Sequence, residues 1–218
     1  MGKEQATKEL ARQLKNPEGK NGIEVAQMMS ETNQNMIFHS IKQLDIQPKN
    51  KILEIGYANA NHIDFIFKQN QTIVYYGLEI SPLMCQQASN FWEKFSQKQN
   101  LSFGLYDGQR IPFKNLFFNK IFSVNTIYFW ENPAEFLSEI YRVLQPNGLV
   151  CITFIEEEFL KKMPFSKYGF TFYDNQKVMQ LARKVSFHIE NKVSELEFVK
   201  SKKGQIFQRK FTTITLKK

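Results

Sequence analysis

Three acidic residues stand where a carboxylate could serve a ligand. Glu54 interrupts the apolar run Ile52-Leu53-Glu54-Ile55, whose residue types suit a short buried strand over 51–55. A charge on a buried central strand requires a partner. Glu79 follows a second run of strand type, Thr72 to Leu78. A carboxylate there offers two acceptor oxygens to a pair of neighbouring hydroxyl donors. It also lies at the carboxyl end of a strand, where open α/β sheets bind ligands. Asp107-Gly108 ends a third run, Leu101 to Tyr106, although this dipeptide is a strong turn former without any ligand. After Glu54 the chain turns at Gly56, where the backbone must bend sharply or let something approach closely. His62 to Phe67 then continues as a helix, which offers free N–H groups at its N-terminus.

The elements that must position these residues alternate. Strands are expected at 51–55, 72–78, 101–106, 120–125 and 149–155, with helices at about 60–69, 82–97 and from Pro133 to Leu144. Ser81-Pro82 supplies an N-cap and first turn, and Pro146-Asn147-Gly148 stops the last of these helices. Such alternation implies a parallel sheet with right-handed crossovers. Ahead of it, residues 3–15 form an amphipathic helix ended by Asn16-Pro17, and one long helix is expected from about Ile23 to Leu44. Behind it come a helical turn at 156–162, an aromatic loop, a helix at 175–184 and two long strands, 186–199 and 205–216. Ser201-Lys202-Lys203-Gly204 between them has hairpin-turn character.

Glu54-x-Gly56-x-Ala58-x-Ala60 resembles the first motif of class I S-adenosylmethionine-dependent methyltransferases, Asp/Glu-x-Gly-x-Gly-x-Gly, with alanine at the second and third glycines. Gly77-Leu78-Glu79-Ile80-Ser81 resembles that family's second site, and Asp107-Gly108-x-x-Ile111-Pro112-Phe113 its Asp-Ala-x-x-Leu-Pro-Phe. Glu139-Ile140-Tyr141-Arg142-Val143-Leu144-Gln145-Pro146-Asn147-Gly148 resembles Glu-Ile-x-Arg-Val-Leu-Lys-Pro-Gly-Gly, a structural helix stop. Together the matches cover roughly residues 50–155 in the family's order and spacing, closest to its small-molecule, type 11-like branch.

The resemblance implies a Rossmann-like, doubly wound α/β fold. Its sheet is mostly parallel and seven-stranded, with a C-terminal antiparallel hairpin and N-terminal helices. We expect an N-terminal helical cap over 1–47 and an S-adenosylmethionine-binding domain over 48–218. The resemblance also implies that Glu79 takes the ribose hydroxyls and Asp107 the adenine amino group. Glu54, Gly56, Tyr57, Ala58, Ile80, Gly108 and Asn125 would line the cofactor, and Tyr128 and Trp130 the acceptor. Tyr57, Tyr128, Phe129, Trp130 and Tyr168 are candidates for an aromatic wall around a sulfonium. No catalytic residue is assigned, because methyl transfer needs a base only if the acceptor must lose a proton. His62 and His39 are considered for that role, but a lone His is more often a packing or surface residue, so neither is assigned.

Composition narrows the remaining choices. The 218 residues include 42% hydrophobic side chains and 21 Phe, enough for a full core. No run of about 18 apolar residues is present, so no membrane partner is expected. Cys85 and Cys151 are isolated, and His39, His62 and His188 are scattered. That excludes a zinc cluster and points to a reducing, cytoplasmic setting. The net charge of +8 is read as a solvated face, and a nucleic-acid partner is not expected, because no recognition motif accompanies it. An RNA methyltransferase stays open as an alternative on that charge. A binding homologue without catalysis stays open on Ala58 and Ala60. An NAD-dependent oxidoreductase is disfavoured, since Ala58 and Asn61 stand where Gly-x-Gly-x-x-Gly needs glycine. The sequence names neither the methyl acceptor nor the oligomeric state.

Overall fold

The fold was obtained as a computed structural model that describes residues 2–96, 100–200, 204 and 206–218. Near its centre lies β1 (Lys51–Ile55), buried on both faces. β1 pairs in parallel with β2 (Val74–Glu79) and β4 (Phe118–Val124). β3 (Asn100–Leu105) extends the sheet beyond β2, and β5 (Leu144–Ile155) beyond β4, again in parallel. The last two strands are β6 (His188–Lys200) and β7 (Ile206–Lys217). β7 inserts antiparallel between β5 and β6, which gives the order β3-β2-β1-β4-β5-β7-β6. This is the seven-stranded, mostly parallel sheet with an antiparallel end that the sequence implies. The hairpin turn expected at 201–204 lies outside the described residues, apart from Gly204.

Helices cover both faces. α3 (Gln34–Gln43), α4 (Ile63–Gln69) and α5 (Pro82–Ser96) bring Ile37, Ile41, Ile63, Ile66 and Trp92 onto Ile52 and Tyr75. On the opposite face α6 (Pro133–Val143) and α8 (Asn175–Lys184) place Phe136, Leu137, Ile140, Val178 and Ala182 against Leu53, Ile121 and Ile152. The short α7 (Glu157–Leu160) and a 3-10 turn, Pro164–Lys167, follow β5.

The N-terminal helices differ from expectation. The single helix foreseen over 23–44 is two, α2 (Gly19–Thr32) and α3, separated at Asn33 (φ −99°, ψ 1°). The ψ value lifts Asn33 out of helical geometry, so α3 packs along the sheet against β4, β5 and β7 while α2 packs against α1 and α5. α1 (Lys3–Lys15) is clamped to the start of α2 through Arg12, whose guanidinium meets Glu9 at 2.9 Å and Glu18 at 2.6 Å. Buried Gln13 accepts from Glu18 N–H at 2.8 Å. The linker is also latched to the fold, because Ser81 Oγ donates to Pro17 O at 2.6 Å.

Candidate active site

The turn after β1 is shaped by one glycine and two strained alanines. Gly56 has φ 79°, and a Cβ there would lie 2.5 Å from Thr126 Cγ2, so only glycine fits. Ala58 (φ 50°) and Ala60 (φ 55°) also occupy the left-handed region. Each carries a cost of about 1 kcal/mol or more relative to glycine. Tertiary contacts hold them there. Ala58 N–H donates to Glu79 Oε2 at 3.0 Å, and Ala60 O accepts the Trp92 indole N–H at 3.1 Å.

The charge on β1 has its partners. Glu54 Oε2 accepts from the Tyr75 hydroxyl at 2.5 Å and lies 2.7 Å from His62 Nε2. Burial first, and then the Glu54 carboxylate, push the Tyr75 hydroxyl well above its usual pKa, so it stays a donor. Glu79 is 6% exposed and gathers three amide donors. Oε1 accepts from Ile80 N–H (2.7 Å) and Ser81 N–H (3.1 Å), and Oε2 from Ala58 N–H. Burial raises its pKa, opposed by those three amides. Oε2, with a single donor, retains acceptor capacity for a hydroxyl.

Glu54, Gly56, Tyr57, Ala58, Glu79, Ile80, Gly108, Asn125 and Trp130 line one cleft at the carboxyl ends of the strands. Two of the expected residues fall outside it. Asp107 is exposed, and its Oδ1 accepts from Gln109 and Arg110 N–H, both at 2.8 Å. Those amides hold its carboxyl below the usual range. Its side chain borders an adjacent hollow with Arg110, Pro112 and Arg142. The Tyr128 hydroxyl is buried, 2.9 Å from Asn125 Oδ1, and accepts from Ile155 N–H at 2.5 Å. Within the cleft, the Tyr57 ring turns into the core against Gly77, where an added Cβ would lie 2.5 Å from Tyr57 Cδ1. Trp130 Nε1 donates to Thr126 Oγ1 at 3.1 Å, and Thr126 bonds Ser123 Oγ, which donates to Ile55 O at 3.0 Å. Of the expected aromatic wall, Tyr57, Phe129 and Trp130 border the cleft, while Tyr128 and Tyr168 do not. Asn125 sits at the end of β4 in the left-handed region (φ 58°).

A second chamber of about 650 Å³ adjoins the cleft. Leu14, Met29, Asn33, Asn125 and Phe129 line both. Its remaining walls are mostly apolar, including Leu10, Met28, Phe159, Met163, Phe165, Phe170 and Phe207. Tyr128 belongs to this chamber, as does Arg209. The sequence reading missed Arg209, because a lone arginine in a strand carries no motif. Strand alternation could have found it, since Arg209 shares a β7 face with Phe211 and Thr213, both buried.

A sheet of this order, with a glycine turn after β1 and a buried acid ending β2, defines the class I S-adenosylmethionine-dependent methyltransferase fold. Residues 53–152 match a family model described as a methyltransferase domain. Over that segment, less than half of its length, the chain is similar to that family. It is 26% identical over 128 residues to the uncharacterized methyltransferase YdaC of Bacillus subtilis, covering 58% of this chain and 67% of the relative. YrhH of the same organism, provisionally named a methyltransferase, is 32% identical over 116 residues, or 52% of this chain and 62% of the relative. The chain thus spans about two thirds of the length of these curated relatives. Among solved structures, the methyltransferase-assigned subunit bound to the Trm112 activator of Haloferax volcanii superposes with a TM-score of 0.72. The two are 14% identical, and the match covers 95% of this chain and 97% of that one. No helix among the described residues is long and apolar enough to cross a membrane.

Proposed function

We propose that this protein transfers a methyl group from S-adenosylmethionine to a small apolar or aromatic molecule held in the second chamber. The carrying observation is the shared wall of Leu14, Met29, Asn33, Asn125 and Phe129, which joins a family-type cofactor cleft to an apolar cavity. The residues present fit the cofactor. Gly56 leaves the β1 turn free of a Cβ, and Glu79 keeps acceptor capacity at the end of β2. In this reading Glu54, Gly56, Tyr57, Ala58, Glu79, Ile80, Gly108 and Asn125 form the cofactor side, with Asp107 at the adjoining hollow, while Tyr128 borders the acceptor in its chamber and Trp130 faces it from the cofactor cleft. Residues 1–47 act as the cap over a binding domain of 48–218, with α1 and α2 as its roof.

S-adenosylmethionine supplies a methyl carbon on a positively charged sulfur. The protein's part is to orient and enclose. Phe129 and Trp130 offer ring faces that exclude water and suit a cation. Orientation alone is worth roughly 7–11 kcal/mol of the barrier. Calorimetric titration with S-adenosylmethionine tests the reading. Glu79→Ala is expected to lose most of the affinity, and wild-type-like binding by that variant would remove the assignment.

Ala58 and Ala60 in left-handed geometry favour one second reading, a binding homologue without turnover. Cofactor binding with no S-adenosylhomocysteine formed across an acceptor screen would select it.

A further inference from the structure

The second chamber is apolar almost throughout, yet its charged lining is of one sign. Arg209 and Lys200 border it, and none of the described lining residues is Asp, Glu or His. Arg209 is 5% exposed, a burial that a cation tolerates only when held. Glu197, on the neighbouring strand β6, holds it. Arg209 Nε donates to Glu197 Oε1 at 2.7 Å, and Nη2 lies 2.5 Å from the same oxygen. Nη2 also donates to Thr32 O at 2.5 Å. These contacts engage one edge of the guanidinium, and Nη1 has no protein partner among the described residues. Glu197 is not part of the chamber wall, so the chamber meets the cation rather than its counter-ion. Thr32 immediately precedes Asn33, one of the residues shared with the cofactor cleft, so the guanidinium is tied to the junction of the two chambers.

We propose that the acceptor is an aliphatic carboxylic acid. Its chain fills the apolar chamber and its carboxylate is received by the free edge of Arg209, with Lys200 reinforcing the field. The inference rests on the chamber being the acceptor site. A charge-assisted Arg–carboxylate contact in an apolar enclosure is strong and selective for an anion. The same acceptor accounts for a wall without Asp, Glu or His. A carboxylate is already an anion, so no general base has to remove a proton from it. Transfer joins a carboxylate oxygen to the methyl carbon while the carbon–sulfur electron pair leaves with sulfur. Anion and sulfonium become a neutral ester and a neutral thioether, and no proton moves. Arg209 serves as the specificity-determining residue.

The test is titration of the full chain, saturated with S-adenosylmethionine, with decanoate and with decan-1-ol. Wild type is expected to bind decanoate about tenfold tighter than the alcohol, the worth of one hydrogen bond to a charged group. The paired variant E197Q/R209Q, which leaves no buried lone charge, is expected to lose that preference while still binding decan-1-ol. E197L/R209M serves in its place should the first pair fail to fold by circular dichroism. Equal binding of acid and alcohol by wild type overturns the proposal but leaves the apolar acceptor chamber standing. So does a preference that survives the paired substitution. Binding of neither probe by wild type that does bind S-adenosylmethionine overturns the acceptor-chamber reading itself.

Discussion

At the residue scale, the β1 turn concentrates the stereochemistry of the site. Gly56→Ala would drive a methyl into Thr126 Cγ2 while keeping a positive φ. We expect a loss of about 2 kcal/mol or more in chemical denaturation. Ala58→Gly acts in the opposite direction. It relieves left-handed strain at a half-buried position, and stability should rise by roughly 1 kcal/mol, with tighter S-adenosylmethionine binding in calorimetry. Glu79 sets a pH dependence. Burial raises its folded pKa above the ordinary 4.5, so the folded state holds the proton longer than the unfolded chain. Its contribution to stability therefore declines as pH rises through that window. A ligand that donates to the ionised carboxylate couples with the reverse sign. S-adenosylmethionine affinity is expected to fall as pH is lowered through the same window, and Glu79→Gln should flatten the profile.

At the element scale, helix ends are fixed by identifiable contacts. Asp174 caps α8 by accepting from Lys177 N–H at 2.8 Å. Asp174→Ala should cost about 1 kcal/mol, read as a lowered midpoint in thermal unfolding. Most element positions were legible because their signals are local. Ser81-Pro82 and Asn132-Pro133 announce α5 and α6, and apolar runs announce β1 and β4. The break at Asn33 was not legible. Met28, Met29, Met36 and Ile37 sustain a helical apolar pattern across it, and the interruption comes from where α3 must lie on the sheet. Side-chain direction was the other hidden quantity. The sequence places Tyr57 beside the cofactor, but only the fold shows that its ring fills the space left by Gly77. Arg209 was hidden for a related reason, since its meaning depends on Glu197 across the strand pair and Thr32 from the cap.

At the scale of the whole molecule, the sheet gathers distant segments around one opening. The acids ending β1 and β2, the end of β4 and the roof of α1 and α2 all border the cleft. The roof is fastened at Ser81, whose hydroxyl donates to Pro17 O while accepting from Met84 N–H at 3.2 Å. Ser81→Ala removes both bonds. We expect about 1–2 kcal/mol of lost stability and faster S-adenosylmethionine exchange, measured by stopped-flow fluorescence.

The insertion of β7 between β5 and β6 constrains the order in which a growing chain can fold. β1 to β5 can pair as they emerge from the ribosome, but β6 appears before the strand it must lie against. Until residues 206–217 arrive, the outer edge of β5 carries unpaired amide and carbonyl groups, and β6 has no place in the sheet. Closing that gap joins segments distant in sequence, a slow class of event. A chain truncated before residue 206 should therefore be cut readily by protease in the β6 segment. The same segment is expected to resist in the 218-residue chain, where Arg209 reaches the chamber that it lines.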